Sequence, residues 1–120
     1  MSKKPTQPDE AFWRLEVEIK PGKLEDFLSV ARDLMDTMDE EPGTLDYEYY
    51  LSADKTVCHI HERYCDSEAL ITHAENFGRV FSERFMQACS PTRFNVYGAP
   101  NDTAKAVLAQ YGPTYLTKFR

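Results

Sequence analysis

Apolar and polar residues alternate strictly near the start of the chain. The apolar positions of this run share one side: Trp13, Leu15, Val17 and Ile19. A period of two is the spacing of a β-strand with one buried face. Pro21-Gly22 follows the run and breaks it. The pattern therefore predicts a half-buried first strand that ends before this pair.

The next run is apolar at every third or fourth position, which places the apolar side chains on one face of an α-helix. These positions are Leu24, Phe27, Leu28, Ala31, Leu34, Met35 and Met38. Proline cannot continue a helix and glycine accepts the backbone angles of a turn, so Pro42-Gly43 ends it. A helix with one apolar face is expected to cover a sheet.

Two further strand patterns, residues 45–52 and 56–64, are joined by the short turn Ala53-Asp54-Lys55. An antiparallel hairpin is the simplest pairing for strands this close in sequence. A second helix then begins after Asp66 or Ser67, either of which can cap its first turn. We expect Asn76-Phe77-Gly78 to bend this helix near its middle. Its inward stripe is predicted to hold Leu70, His73, Ala74, Phe77, Phe81, Arg84, Phe85 and Ala88.

The last segments complete a familiar order of elements. Residues 92–98 predict a fourth strand, and Asn101 or Asp102 can cap a short helix that reaches Tyr111 before Gly112-Pro113. The order βαββαβ is that of an α+β, ferredoxin-like sandwich with one antiparallel sheet and two helices on one face. We divide the chain into a flexible N-terminal arm (1–11), the ferredoxin-like domain (12–99) and a C-terminal helical extension (100–120).

The sheet face opposite the helices is expected to carry apolar groups, including Val57 and tyrosines of the second strand. Soluble monomers rarely leave a large apolar patch exposed. A second copy of the chain is the simplest cover, so the sequence predicts a homodimer.

Composition narrows the classes of partner. The net charge of -6 argues against nucleic-acid binding, which requires a basic face. No apolar run approaches the roughly 20 residues that span a bilayer, and the polar start lacks the apolar middle of a signal peptide. These features, with three cysteines that show no metal-binding or disulfide spacing, predict a cytoplasmic protein without membrane contact.

Four motifs carry a resemblance to a known family: Pro21-Gly22-Lys23, Glu41-Pro42-Gly43-Thr44-Leu45 with Tyr47-Glu48, Glu62-Arg63-Tyr64, and Asp66-Ser67-Glu68-Ala69-Leu70 with His73. In this order, over about Phe12 to Gly98, they resemble the antibiotic biosynthesis monooxygenase (ABM) domain. His73-Ala74-Glu75-Asn76-Phe77-Gly78 and the segment from Val96 onward resemble a branch of this family, the quinol monooxygenases. The resemblance implies a homodimeric α+β barrel with a pocket between sheet and helices in each subunit. It also implies oxidation of electron-rich aromatic polyphenols by O₂ without a cofactor, because the deprotonated substrate gives the first electron to oxygen.

Such chemistry needs a proton acceptor, donors for the oxyanion and a dry aromatic lining. The catalytic candidates are His73, Glu62 and Tyr64, and the candidates for binding a small aromatic substrate are Tyr49, Tyr50, Ile60, Phe77 and Arg84. Structural roles stay open for several of them: His73 as a core histidine, Glu62 as a partner of an amide or arginine, and Arg84 at the surface. Which face of the second strand sees the pocket is also open.

His59-Ile60-His61 suggests a metal site, because residues two apart on a strand share a face. No third ligand is visible in the sequence, so we predict no metal and no cofactor, and place both histidines at the dimer interface. Two functions follow. One is a cofactor-independent monooxygenase acting on a quinol or aromatic polyphenol; the alternative is a non-catalytic dimeric barrel that binds a small aromatic or lipid-like metabolite.

Overall fold

The computed structural model describes residues 9–119, and this part of the chain folds into five strands and four α-helices. In chain order they are β1 (Ala11–Ile19), α1 (Leu24–Thr37), β2 (Thr44–Leu51), β3 (Val57–Tyr64), α2 (Ser67–Asn76), α3 (Ser82–Ala88), β4 (Cys89–Gly98), α4 (Asp102–Leu108) and β5 (Thr114–Leu116). Single 3₁₀ turns follow α1 and α4, at Met38–Glu40 and Ala109–Tyr111. A π-helical turn, Phe77–Phe81, joins α2 to α3.

The sheet has the order β2-β3-β1-β4-β5. Its first four strands pair antiparallel, which confirms the predicted ferredoxin-like α+β fold. The fifth strand was not predicted, and it pairs parallel to β4. Gly112 has φ +65°, so the chain can turn back after the last 3₁₀ turn and run beside β4. Three residues are too short a run to show a periodic pattern in the sequence.

The strand register decides which side chains meet under the helices. Trp13 lies opposite Glu62, Leu15 opposite Ile60, and Val17 opposite Cys58. Successive side chains of a strand point to opposite faces, so these three pairs share the helix-covered face. The core and the candidate site therefore lie on the same side of the sheet.

Both helix starts that the sequence left open are now assigned. The Asp66 carboxylate accepts a hydrogen bond from the backbone N–H of Ala69 at 2.8 Å, and Asn101 accepts one from Ala104 at 2.9 Å. Each side chain satisfies a donor of a first helical turn that has no partner within the helix. Asp66 and Asn101 are thus the N-caps of α2 and α4.

The predicted break near Asn76-Phe77-Gly78 is the π-helical turn. A π turn accommodates one residue more than an α turn, so it rotates the following residues around the helix axis. After it, Phe81, Phe85 and Ala88 form the buried stripe. Arg84 lies at the surface, although uninterrupted α-helical spacing had placed it inward.

The open face of the sheet differs from the expected apolar patch. Glu16 and His59 approach to 3.2 Å there, Phe12 stacks on Tyr97 with ring centroids 4.8 Å apart, and Tyr50 is 52% exposed. The face is therefore a mixture of charged and aromatic side chains. The outward positions of β1 and β3 are occupied mainly by charged residues and histidines, while the tyrosine expected on this face is exposed at Tyr50. The homodimer stays a prediction.

The folded part of the chain starts ahead of the predicted domain boundary. Ala11 opens β1, and the buried Glu10 carboxylate lies 2.8 Å from Nε of Arg63. The rest of the predicted N-terminal arm, residues 1–8, lies outside the described residues.

Candidate functional site

A cavity of about 240 Å³ lies between the helix-covered face of the sheet, α2 and the C-terminal segment. Apolar and aromatic side chains form most of its wall: Trp13, Leu15, Ile60, Ala74, Phe77, Phe85, Met86, Pro91, Phe94, Leu108 and Tyr111. Its polar side chains are Tyr47, Tyr49, Glu62, His73 and Gln110. A concave, largely apolar space with a few polar groups is typical of a small-molecule site.

His73 binds a carboxylate through each of its ring nitrogens. Nδ1 lies 2.9 Å from Oε1 of Glu41, and Nε2 lies 3.2 Å from Oε1 of Glu62. All three residues are buried. Helix α2 supplies the histidine, β3 supplies Glu62, and the turn after α1 supplies Glu41. We refer to Glu41, His73 and Glu62 as the Glu-His-Glu triad.

Glu41 is fixed by further hydrogen bonds. Asn76 Nδ2 donates to its Oε2 at 3.0 Å, and Thr44 Oγ1 donates to its Oε1 at 3.4 Å. The Pro-Gly turn that follows Glu41 packs directly beneath the first turn of α2. A Cβ atom on Gly43 would lie 2.4 Å from Cβ of Ala69. Gly43 therefore allows this close approach, which brings Glu41 under His73.

We expect Gly43→Ala to lower the free energy of unfolding by about 1–3 kcal/mol, because the added methyl group overpacks the contact with Ala69. Ala69→Gly should itself cost about 1 kcal/mol as a helix substitution. The double variant should be more stable than the sum of the two single effects, since it removes the clash. Urea unfolding of the four proteins checks this, and strictly additive effects would contradict the contact.

Two members of the triad, Glu41 and His73, carry charges at neutral pH. Burial lowers the pKa of His73, but the hydrogen bonds and charges of Glu41 and Glu62 outweigh it and raise that pKa to about 9. Burial likewise opposes ionisation of Glu41, yet its bonds to His73, Asn76 and Thr44 bring its pKa below the usual range. His73 is therefore an imidazolium that donates from both nitrogens. Glu41 and His73 therefore form a charged pair beside the cavity.

Glu62 has one oxygen engaged and one available. Its Oε1 accepts from the Tyr64 hydroxyl at 2.5 Å as well as from His73. No described residue donates a hydrogen bond to its Oε2. Every fully buried side-chain oxygen among the described residues has a hydrogen-bond partner, so Oε2 is not fully buried. Since Glu62 lines the cavity, Oε2 is the oxygen that reaches it.

Two tyrosines of β2 stand beside this carboxylate. The hydroxyls of Tyr47 and Tyr49 are 2.9 Å apart, and both side chains line the cavity. Burial, followed by the charge of Glu62, raises the pKa of both phenols well above 10. Both therefore keep their protons and act as hydrogen-bond donors.

A comparison with family models matches residues 14–78 to antibiotic biosynthesis monooxygenase. The chain belongs to this family. The matched segment contains all three residues of the triad. The comparison with curated proteins found no match.

Solved structures show the same fold. MupZ from Pseudomonas fluorescens is 25% identical with a TM-score of 0.82, over 93% of this chain and 92% of its own. SnoaB from Streptomyces nogalater, a cofactor-independent oxygenase, is 14% identical with a TM-score of 0.65, over 78% and 95%. A conserved protein from Methanosarcina mazei Go1 is 20% identical with a TM-score of 0.66, over 76% and 93%. The similarity to MupZ thus extends over more of this chain than the other two.

The fold brings five of the predicted site residues of this ABM protein to the cavity wall: His73, Glu62, Tyr49, Ile60 and Phe77. Tyr64 is fully buried behind the wall, where it contacts Glu62 and packs against His73 with ring centroids 5.3 Å apart. It orients Glu62 and does not line the cavity. The register also answers which face of β2 sees the cavity: the face of Tyr47 and Tyr49.

Two predicted substrate-binding residues lie elsewhere. Tyr50 follows Tyr49 directly and so points to the opposite face of the sheet, where it packs on His61. Arg84 pairs with Asp33 at 2.9 Å on the surface, because the π-helical turn shifts the helix phase. Neither residue reaches the cavity, and we leave both out of the site.

The histidine pair also lies outside the site. His59 and His61 project from the open face, away from His73. Among residues 9–119 no group of three or more His, Cys, Asp or Glu side chains is arranged to hold a metal ion. In the same part of the chain, no helix has the length and apolar character to cross a membrane.

Glu41 is the triad residue that the sequence analysis missed. Tyr47, which the sequence also offered as aromatic lining and a hydroxyl donor, lies on the cavity wall beside Tyr49. Glu41 lies 32 positions from His73, in a turn without periodicity. The available signal was a glutamate directly before Pro-Gly, at the point where the first helix returns to the sheet.

Proposed function

We propose that this ABM protein is a cofactor-independent monooxygenase that oxidises a quinol or aromatic polyphenol with O₂. The observation that carries the proposal is the Glu62 carboxylate, which offers Oε2 to an aromatic cavity while Oε1 is held by His73 and Tyr64. A fixed carboxylate beside an apolar space is suited to accept a phenolic proton. Family membership supports the same type of reaction.

In the proposed reaction, Glu62 accepts the proton of a substrate hydroxyl and leaves an electron-rich phenolate. The phenolate transfers one electron to O₂, and the two radicals combine at a ring carbon that bears hydrogen. Cleavage of the O–O bond leaves one oxygen as a quinone carbonyl. The second oxygen leaves as water, with the ring hydrogen and the phenolic proton. All four electrons come from the substrate, so the reaction balances without a further reductant.

His73 holds a proton in this scheme and does not accept one. With a pKa of about 9 it is already protonated at neutral pH, and its positive charge lies close to the developing phenolate.

The proposal is tested by measuring O₂ consumption by the purified protein with a panel of quinols and naphthols. We expect one quinone to be formed and one O₂ to be consumed per turnover. The rate should not change after dialysis against a metal chelator. Uptake that disappears with the chelator and returns with a metal would contradict the cofactor-independent mechanism. Tight binding of the panel with no O₂ consumption would favour the alternative, a barrel that binds an aromatic or lipid-like metabolite without turnover.

We also propose that the protein works as a homodimer in the cytoplasm, where Cys58, Cys65 and Cys89 would stay reduced. The open sheet face carries the stacked pair of Phe12 and Tyr97, and aromatic side chains of this kind are enriched in interface cores. We expect sedimentation equilibrium to give the mass of two chains. A single species of 13.9 kDa at micromolar concentration would contradict the dimer.

A further inference from the structure

The indole nitrogen of Trp13 is a hydrogen-bond donor in the cavity wall. Trp13 is 5% exposed, and no described residue accepts a hydrogen bond from its Nε1. Every fully buried side-chain nitrogen among the described residues has a hydrogen-bond partner, so Nε1 is not fully buried. Because Trp13 lines the cavity, Nε1 is the polar atom through which its side chain reaches that space.

Three neighbouring rings fix the orientation of the indole. Its centroid lies 5.0 Å from that of Tyr64, 5.2 Å from that of Phe94 and 6.3 Å from that of His73. Side chains packed this closely in a core keep one rotamer. The indole N–H therefore cannot turn away from the cavity to reach an acceptor in the core.

The other donors of the cavity wall have partners within the protein. Both ring nitrogens of His73 bind glutamates, and Gln110 donates to the backbone oxygen of Val107 at 3.4 Å. The hydroxyls of the two cavity tyrosines are hydrogen-bonded to each other. A buried tryptophan N–H usually has an acceptor, and a buried donor without one is unfavourable. The unpartnered N–H of Trp13 therefore indicates that a molecule in the cavity supplies the acceptor.

Trp13 lies beside the proposed proton acceptor. Trp13 on β1 and Glu62 on β3 are directly opposite each other, and both line the cavity. Residues in this arrangement have Cβ atoms about 5 Å apart. A hydroxyl group both donates and accepts hydrogen bonds. One phenolic hydroxyl can thus donate to Oε2 of Glu62 while its oxygen accepts from Nε1 of Trp13.

We propose that Trp13 is a further substrate-binding residue, whose indole N–H donates a hydrogen bond to the phenolic oxygen that Glu62 deprotonates. This inference rests on the proposed function for the role of Glu62. The proton passes from the substrate oxygen to Oε2 of Glu62, and the indole keeps its own proton. A hydrogen bond to a charged oxygen is stronger than one to a neutral oxygen, so Trp13 stabilises the phenolate more than the phenol.

The indole N–H can be observed directly in the unmodified protein. Trp13 is the only tryptophan of the chain, so isotope-labelled tryptophan gives a single indole resonance by NMR. The probes, added without O₂, are 2-naphthol and 2-methylnaphthalene, which have the same ring system and differ in a hydroxyl and a methyl group. We expect the indole proton to lie further downfield with 2-naphthol, because a hydrogen bond deshields it. The same shift with both probes would overturn the proposal.

Trp13→Phe assigns the effect to the N–H group. The smaller ring should weaken the binding of both probes alike, and the lost hydrogen bond should weaken 2-naphthol about tenfold more. Calorimetric titration without O₂ gives the dissociation constants. Phe94→Leu is the matched control, because Phe94 lines the same cavity against Trp13 and carries no donor, and it should change both affinities by the same factor. An equal loss for both probes in Trp13→Phe would overturn the proposal.

The outcomes for the binding site and for the reaction remain separate. Thermal unfolding shows whether Trp13→Phe is folded, and the indole resonance tests the site in the unmodified protein if it is not. A downfield shift specific to 2-naphthol in a protein that consumes no O₂ would support the Trp13 site and contradict the monooxygenase. Consumption of O₂ together with the same indole shift for both probes would contradict the Trp13 site alone.

Discussion

Glu62→Gln will reduce the rate of O₂ consumption by about 10²–10⁴-fold while leaving the fold intact. The amide keeps the size of the carboxylate and can still accept hydrogen bonds from Tyr64 and His73. It cannot accept a proton from a phenol, and loss of a positioned general base costs a rate factor of this size. Single-turnover measurements of quinone formation under O₂ separate this effect from any change in substrate binding.

Glu18→Gln is the matched control for this variant, because Glu18 lies on β1 with its side chain exposed on the open face of the sheet. It should have the rate of the unmodified protein. If Glu62→Gln retained more than about a tenth of the rate while binding the substrate normally, Glu62 would not be the proton acceptor.

Stability should fall as the pH rises through 9, and Glu41→Gln should remove part of this dependence. The pKa of His73 is about 9 in the folded protein and 6.5 as the ordinary value, so the folded state holds the proton more tightly. The resulting stabilisation is complete below pH 6.5 and is lost as the pH rises toward 9 and above. At about 1.4 kcal/mol per pKa unit it amounts to roughly 3 kcal/mol.

Glu41 makes the stability of the protein fall at low pH as well. Its pKa is lowered in the folded protein, so its contribution is present above the ordinary value of 4.5 and is lost as the pH falls through the folded value. The triad therefore stabilises the protein most between about pH 4.5 and 6.5. Urea unfolding from pH 4 to 10 measures the free energy of unfolding over both pH ranges.

In Glu41→Gln, one carboxylate partner of a buried imidazolium is removed. Breaking a buried ion pair from one side costs about 3–5 kcal/mol, and we expect the lower end because Glu62 still faces His73. The pKa of His73, followed by NMR, should fall toward its ordinary value. Glu40→Gln is the control, since Glu40 is exposed in the adjacent 3₁₀ turn. An unchanged His73 pKa in Glu41→Gln would contradict the triad.

Periodicity predicted the elements that cross or cover the sheet. The period of two placed Glu62 on the same strand face as Ile60 and Cys58, and helical spacing turned His73 inward. These assignments depend only on neighbours within one element, where the backbone geometry repeats. For this reason the fold and two thirds of the triad were accessible from the sequence.

The errors arise where the repeat is interrupted or where distant segments meet. The π-helical turn adds a residue to one turn of the helix, which no hydrophobic pattern announced, and it moved Arg84 from the predicted pocket to the surface. Glu41 reaches His73 from a turn, so only the packing of that turn under α2 brings the two together.

The segment after β4 has a consequence for how ligands enter and leave. Leu108, Gln110 and Tyr111 close one side of the cavity, while every residue of β5 beyond them is exposed. Strand β5 adds no buried side chain to the core, so it opens at a lower free energy than the central strands. Amide exchange over residues 109–116 and the release of a bound aromatic molecule would then report the same opening event. In that case the rate of turnover is limited by this segment, even though the reacting groups lie on other elements.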